Sequence, residues 1–310
     1  MIPVVAVVGP TASGKTALAI DLAEHLNTEV ISADSMQFYR GLELGTGAPT
    51  PEELARVPHH FVGHLAPSEE SSAGAFEIAA SKVVEALNES GRTAVVSGGS
   101  GLYVQALVDG LFDGPTKDKF VREQLETEAQ ESGLEAMYAR LKALDSDYAA
   151  RIESVDLRRI VRALEVHAIS GQSISELHAE HRRAEPRFEA VWFAIDWPRD
   201  VLYGRINTRV EQMLKEGLVE EVRGLLDAGH ASDIQRLRAI GYREIAAYLA
   251  GETSLEEAVE TMKMHSRRYA KRQLTWYRAE PRINWLQARD EAFHLEQALT
   301  ILASREHVRA

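Results

Sequence analysis

The residues with the clearest chemistry are Gly9-Pro10-Thr11-Ala12-Ser13-Gly14-Lys15-Thr16, which fit G-x-x-x-x-G-K-[ST] at every fixed position. Glycines in such a loop let backbone N–H groups turn inward and cradle phosphate oxygens at a helix N-terminus. Lys15 adds a point charge, and the Thr16 hydroxyl can ligate Mg²⁺. The loop therefore binds a polyphosphate without saying which one. Asp34 is the acid best placed to face it early in the chain. A carboxylate there can take a proton from a nucleophile or merely cap the following turn. Ser100, in Ser97-Gly98-Gly99-Ser100-Gly101, adds a hydroxyl.

The surrounding pattern has to bring these groups together. Val4-Val5-Ala6-Val7-Val8 reads as a buried strand and the run after Lys15 as a helix, the context the loop motif needs. Residues 28–32 and 93–96 read as further strands, 75–87 as a helix, and 41–67 as a loop rich in Gly and Pro. Short apolar strands separated by helices imply a parallel sheet with ligands beyond the strand C-termini, so the loop, Asp34 and Ser100 should converge on one cleft. An ordinary P-loop ATPase has a second aspartate at the end of a hydrophobic strand. Here residues 93–96 run into Ser97-Gly98-Gly99, which weakens an ATP-hydrolysis reading.

From 115 to 187 the periodicity turns purely helical, and Ser173-Ile174-Ser175-Glu176 is a capping box. The expected architecture is α/β. A P-loop NTPase-like parallel sheet flanked by helices spans 1–114 and 188–310, and an all-helical insertion domain spans 115–187. After the strand at 190–196, one long amphipathic helix is expected from Ile206, Val210, Met213, Leu214, Val222 and Leu225. Ser254 caps a helix carrying basic residues, and 283–286 reads as a last strand.

The chain has 310 residues, no cysteine and a net charge of −12. It contains no stretch near the roughly 18 apolar residues of a membrane span. With no basic leader ahead of the loop and no thiols for disulfides or metal sites, a cytoplasmic protein is expected. The acidic sum argues against a nucleic-acid partner, yet the distribution argues for one. Between Thr261 and Arg278 stand Lys263, Arg267, Arg268, Lys271, Arg272 and Arg278 with no acid, interleaved with His265, Tyr269, Trp276 and Tyr277. Arg151, Arg158, Arg159 and Arg162 form a second cluster. Either cluster alone could be a solvated helix face; both together favour a phosphate-backbone partner.

These residues add up to a resemblance. GPTASGKT at 9–16, ISADSMQFYRGLELGT at 31–46, GGSGLY at 98–103, LRRIVRALEV at 157–166, AIGYREI at 239–245 and KRQLTWYR at 271–278 resemble the bacterial tRNA dimethylallyltransferase (tRNA isopentenyltransferase) family. The likeness extends over nearly the whole chain. It implies a tRNA-modifying prenyltransferase that moves a dimethylallyl group from dimethylallyl diphosphate to the exocyclic N6 amine of the adenosine 3′-adjacent to the anticodon, releasing diphosphate. Residues 9–16 would then hold the diphosphate with Mg²⁺ on Thr16. Asp34 would act as base, and Ser100 and Arg209 would meet the diphosphate.

By the same resemblance, Asp34, Ser35, Met36 and Gln37 would line the pocket for the flipped adenosine, with Ser100 beside it. Arg122, Arg158, Arg159, Arg162, Arg238, Gly241, Tyr242 and Arg243 would contact tRNA, and the charge pattern of the basic helix adds Arg267, Arg268, Lys271 and Arg272. The insertion would grip the anticodon stem, and the protein would act as a monomer. The chain departs from the family in having Ser100 for a usual threonine, Gly47-Ala48-Pro49 for Ala-Lys-Pro, and Ala75 for an aspartate. The alternatives are a P-loop kinase of a small metabolite, an adenylate isopentenyltransferase acting on free nucleotide, and a nucleotide-gated RNA-binding module.

Overall fold

The computed structural model describes residues 3–112, 114, 115, 118–181 and 185–307. The chain divides into two units, Met1–Asp109 with Arg187–Ala310, and Gly110–Pro186. The first unit opens with β1 (Val4–Val8), α1 (Lys15–His25), β2 (Val30–Ser32), α2 (Glu43–Thr46), α3 (Pro51–Arg56), β3 (His59–His60), α4 (Ala73–Glu89), β4 (Ala94–Gly98) and α5 (Gly101–Asp109). The second unit holds α6 (Lys119–Leu144), α7 (Ser146–Ala149), α8 (Leu157–Ser170) and α9 (Ile174–His181). The first unit then resumes with β5 (Ala190–Asp196), α10 (Arg199–Lys215), α11 (Leu218–Asp227), α12 (Ala231–Leu237), α13 (Tyr242–Leu249), α14 (Leu255–Arg278), β6 (Ile283–Gln287) and α15 (Glu291–His307).

The six strands form one parallel sheet in the order β3-β2-β4-β1-β5-β6. Its central strand shows why the apolar run is continuous: successive side chains point to opposite faces, and both faces are covered. Val4, Ala6 and Val8 pack into one core beside Phe76, Val84, Leu107, Trp192 and Tyr277, while Val5 and Val7 join Leu18, Leu22, Phe193 and Leu302 in the other. The break in the first unit is narrow, since Phe188 N–H donates to Val108 O at 3.0 Å. The second unit has its own core of Leu125, Met137, Leu141, Ile160, Leu164 and Leu177.

Several local expectations need correction. Residues 41–67 hold α2, α3 and β3 as well as loop; Thr50 and Glu53 form a capping box with Pro51 in the first turn, a start signal the Gly/Pro content obscured. The long helix after β5 is two, α10 and α11, parted at Gly217, whose φ of +105° lies in the left-handed region. The second strand starts at Val30 because Thr28 N–H still serves the end of α1 through Ala23 O. β4 continues through Ser97 and Gly98, as Ala33 N–H donates to Ser97 O at 2.7 Å. Among the described residues, no helix is long and apolar enough to cross a membrane.

Candidate active site

The phosphate loop leaves β1 through Gly9 and enters α1 through Gly14, with φ of +147° and +91°. Ala12 also has a positive φ, +62°, uncommon for a residue with a side chain. Gly14 gives α1 no side-chain cap and the first turn carries no acid, so the positive helix end is left for an anion. Other parts of the first unit hold the loop in this shape. Thr11 N–H donates to Gln273 Oε1 at 3.0 Å, and Gln273 Nε2 donates to Gly99 O at 2.9 Å. Arg205 Nε donates to Ala12 O and Trp197 Nε1 to Ser13 O, each at 2.8 Å, with the Arg205 guanidinium 4.5 Å from the Trp197 ring centre. Ser13 Oγ is buried with no partner among the described residues.

Lys15 is 8% exposed. Burial lowers its ammonium from the ordinary 10.5 to about 8; nearby Asp34 opposes that shift and Arg209 adds to it. Arg209, from α10, donates to Gly47 O at 3.1 Å and belongs to none of the ion pairs among the described residues. Burial holds its guanidinium below the usual value despite Asp34, Glu53 and Glu216. Gly47 is left-handed, and a Cβ there would fall on the Arg209 guanidinium, so the glycine makes room for that contact. Two cations thus stand together without a matching carboxylate in contact, a setting that favours a polyanion.

β2 delivers Asp34 and β4 delivers Ser100 to the same place. Met36 N–H donates to Asp34 Oδ1 at 3.2 Å, Ser35 N–H donates to Ser100 Oγ at 3.3 Å, and the two serine hydroxyls lie 3.4 Å apart. The approach depends on Gly98, where a Cβ would lie 2.3 Å from Ala33 O. Gln37 is buried with both ends of its amide engaged: Oε1 accepts from Ser32 Oγ and Nε2 donates to Gly47 O, each at 3.0 Å.

A cavity of about 560 Å³ is lined by Thr11, Lys15, Thr16, Asp34 to Gln37, Arg209, Arg238, Arg243, His265, Arg268, Tyr269, Arg272 and Gln273, with Met36, Val210, Met213 and Ile240 among its apolar members. A second cavity, of about 830 Å³, shares Lys15, Thr16, Gly47, Arg209 and Met213 with it. That one extends past Leu44, Ala48, Pro49, Pro51 and Leu54.

The residues expected to touch RNA separate into groups. Arg238, Arg268 and Arg272 are exposed beside the first cavity, and Lys271 is exposed on the same helix. Arg243 lines that cavity, 3.8 Å from Glu244, which also accepts from Gly241 N–H at 2.7 Å and pairs with His265 Nδ1 at 2.6 Å. Arg267 is engaged by Asn207 Oδ1. Tyr242 corrects the expectation: it is wholly buried, its hydroxyl bonded to Glu221 and accepting from Gly45 N–H at 3.0 Å, so it props the backbone of α2.

In the second unit Arg158 and Arg159 are exposed on α8. Arg122 and Arg162, by contrast, both bond the fully buried Glu165 at 2.8 Å. Burial opposes ionisation of that carboxyl, but the two guanidiniums outweigh it and hold its pKa below the usual range. Sequence reasoning gave no role to Gln273 or Trp197 and named Tyr269 only as an aromatic interleaved with the basic residues; the partners of Gln273 and Trp197 in the phosphate loop and at Gly99 lie far away in the chain, and no local spacing announces them.

The family model described as IPP transferase matches residues 37–280. A tRNA dimethylallyltransferase of Geobacter sulfurreducens is 46% identical over 279 residues, covering 90% of each chain. The full-length tRNA isopentenylpyrophosphate transferase structure from Bacillus halodurans is 39% identical with a TM-score of 0.72, covering 98% of this chain and 97% of that one. A eukaryotic dimethylallyltransferase structure, described as acting on tRNA, is 27% identical with a TM-score of 0.78, covering 93% of this chain and 74% of that one.

Proposed function

The chain belongs to the IPP transferase family, and from that premise we propose that it transfers a dimethylallyl group from dimethylallyl diphosphate to the N6 amine of the adenosine 3′-adjacent to the anticodon in tRNA. One observation carries the reading: Lys15, Thr16 and Arg209 are common to two cavities, one holding Asp34 and ringed by basic residues, the other extending along apolar side chains. A diphosphate held at the shared residues leaves its allyl carbon within reach of a base entering the first cavity. The relatives favour this transfer over the kinase and free-nucleotide alternatives.

In the reaction, the amine nitrogen attacks the allylic carbon, and the C–O electron pair departs with the diphosphate. Negative charge grows on the leaving group, where the loop N–H groups, Lys15 and Arg209 are already oriented to meet it. The adenine amine is a weak nucleophile because its lone pair is shared with the ring; Asp34 orients it and takes its proton. Ser100, fixed against Ser35, donates to the diphosphate. The base must leave its stack to reach Asp34.

Magnesium usually keeps several waters and takes few protein ligands beside substrate phosphates. The donor set fits an ion held chiefly by the substrate: Thr16 supplies a hydroxyl at the loop where both cavities meet. Bound there, the ion would neutralise charge on the diphosphate. The exposed Arg158 and Arg159 of the helical unit suit the backbone of the anticodon stem, and Arg238, Arg268 and Lys271 suit the loop. A monomer working in the cytoplasm meets these requirements.

The test is transfer of label from dimethylallyl diphosphate, with Mg²⁺, to unmodified tRNA and in parallel to AMP. Label in tRNA that disappears when the target adenosine is changed supports the proposal. Label only in AMP, or none in either, overturns it.

A further inference from the structure

Apart from the His265 imidazole, the aromatic ring lining the Asp34 cavity among the described residues is Tyr269. It lies on α14, one turn from Gln273, with Ser100 and Gln273 near its hydroxyl. Gln273 is itself bound to Thr11 N–H and Gly99 O. The Arg272 guanidinium sits 5.6 Å from the ring centre. Burial, then the nearby Asp34 charge, pushes the phenol pKa up, so the hydroxyl keeps its proton at neutral pH. The His265 ring is engaged through Nδ1 by Glu244.

A base drawn from an anticodon loop loses stacking on its neighbours, and proteins replace that loss with a fixed aromatic face. Tyr269 combines such a face, in the cavity wall beside Asp34, with proximity to the proposed proton acceptor. We propose that Tyr269 is a substrate-contacting residue whose ring stacks on the target adenine and sets its amine at Asp34. This rests on the transferase reading above.

The test compares Tyr269→Phe and Tyr269→Ala with the wild type, using an anticodon stem–loop RNA that is either intact or abasic at the target position. Wild type should bind the intact RNA more tightly than the abasic one. Tyr269→Ala should lose affinity for the intact RNA by on the order of tenfold to a hundredfold, the usual cost of one base–aromatic stack. It should bind the abasic RNA as the wild type does, with the KM for dimethylallyl diphosphate unchanged. Tyr269→Phe keeps the face and should stay within about threefold of wild type in kcat/KM for tRNA. Equal losses on intact and abasic RNA would overturn the proposal by making the ring a structural support, and a Phe variant as impaired as the Ala variant would overturn it by giving the role to the hydroxyl. If wild type transfers label to tRNA but does not distinguish the two RNAs, the stacking proposal fails alone. Absence of transfer by wild type removes the underlying reading and the proposal with it.

Discussion

Asp34, Lys15 and Arg209 share one small volume, and their charges define what can enter it. Replacing Asp34 by Asn keeps the shape and the bond from Met36 N–H while removing the proton acceptor. Turnover should fall by about a hundredfold or more, the range for a lost general base, with tRNA affinity nearly unchanged; equal loss of both in a filter-binding and label-transfer comparison would make Asp34 a binding group. Lys15 makes a second prediction through pH. Its ammonium is lowered to about 8, so it is charged below that value and increasingly neutral above it. For the free enzyme, kcat/KM for the allylic diphosphate should therefore be flat from about pH 6.5 to 7.5 and fall toward tenfold per unit above 8. A flat profile to pH 9.5 would show that Lys15 stays charged without its anion. The loop motif made Lys15 legible in the sequence, but its titration was not, because that depends on burial and on Arg209 from a helix nearly two hundred residues later.

At the level of elements, α14 braces the phosphate loop through one side chain. Gln273→Ala leaves the Thr11 N–H and the Gly99 carbonyl without their partner, at a cost of about 1–3 kcal/mol. The KM for the donor should rise by about tenfold, read from initial rates, with the urea midpoint lowered in step; an unchanged KM would show that the loop keeps its shape unaided. In the helical unit, Glu165→Gln removes the charge facing Arg122 and Arg162 and should destabilise that unit by about 3–5 kcal/mol in urea unfolding, as breaking a buried ion pair does. The sequence made five of the six strands of the α/β core readable because β1, β4 and β5 are continuous apolar runs and the helices between them are periodic, while the two-residue β3 passed as loop. It hid α2 and α3, whose few residues carry too little periodicity against their Gly and Pro content. The family resemblance offered Arg122, Arg162 and Tyr242 as tRNA contacts, whereas Glu165, one turn from Arg162 but 43 residues from Arg122, and Glu221, 21 residues from Tyr242, bond them within the protein.

For the whole molecule, the net charge of −12 coexists with basic residues gathered along α14. Since Arg267 is engaged by Asn207, the exposed Arg268 and Lys271 are the sharper pair to remove. The double alanine variant should bind tRNA more weakly and make the slope of log affinity against log salt shallower by about 1.4 to 1.8; an unchanged slope would take these two residues off the RNA path. The order of the strands has a separate consequence for how the chain is made. β1 lies between β4 and β5, and β5 follows the 110–186 segment. A ribosome adding about 5–20 residues per second needs several seconds to pass that segment. Throughout that interval Val4–Val8 can pair with β4 but still offers a bare apolar edge on its other side, the kind of edge that recruits foreign strands. The nascent chain should be most vulnerable to misassembly, and most in need of a chaperone, just before residue 190 emerges.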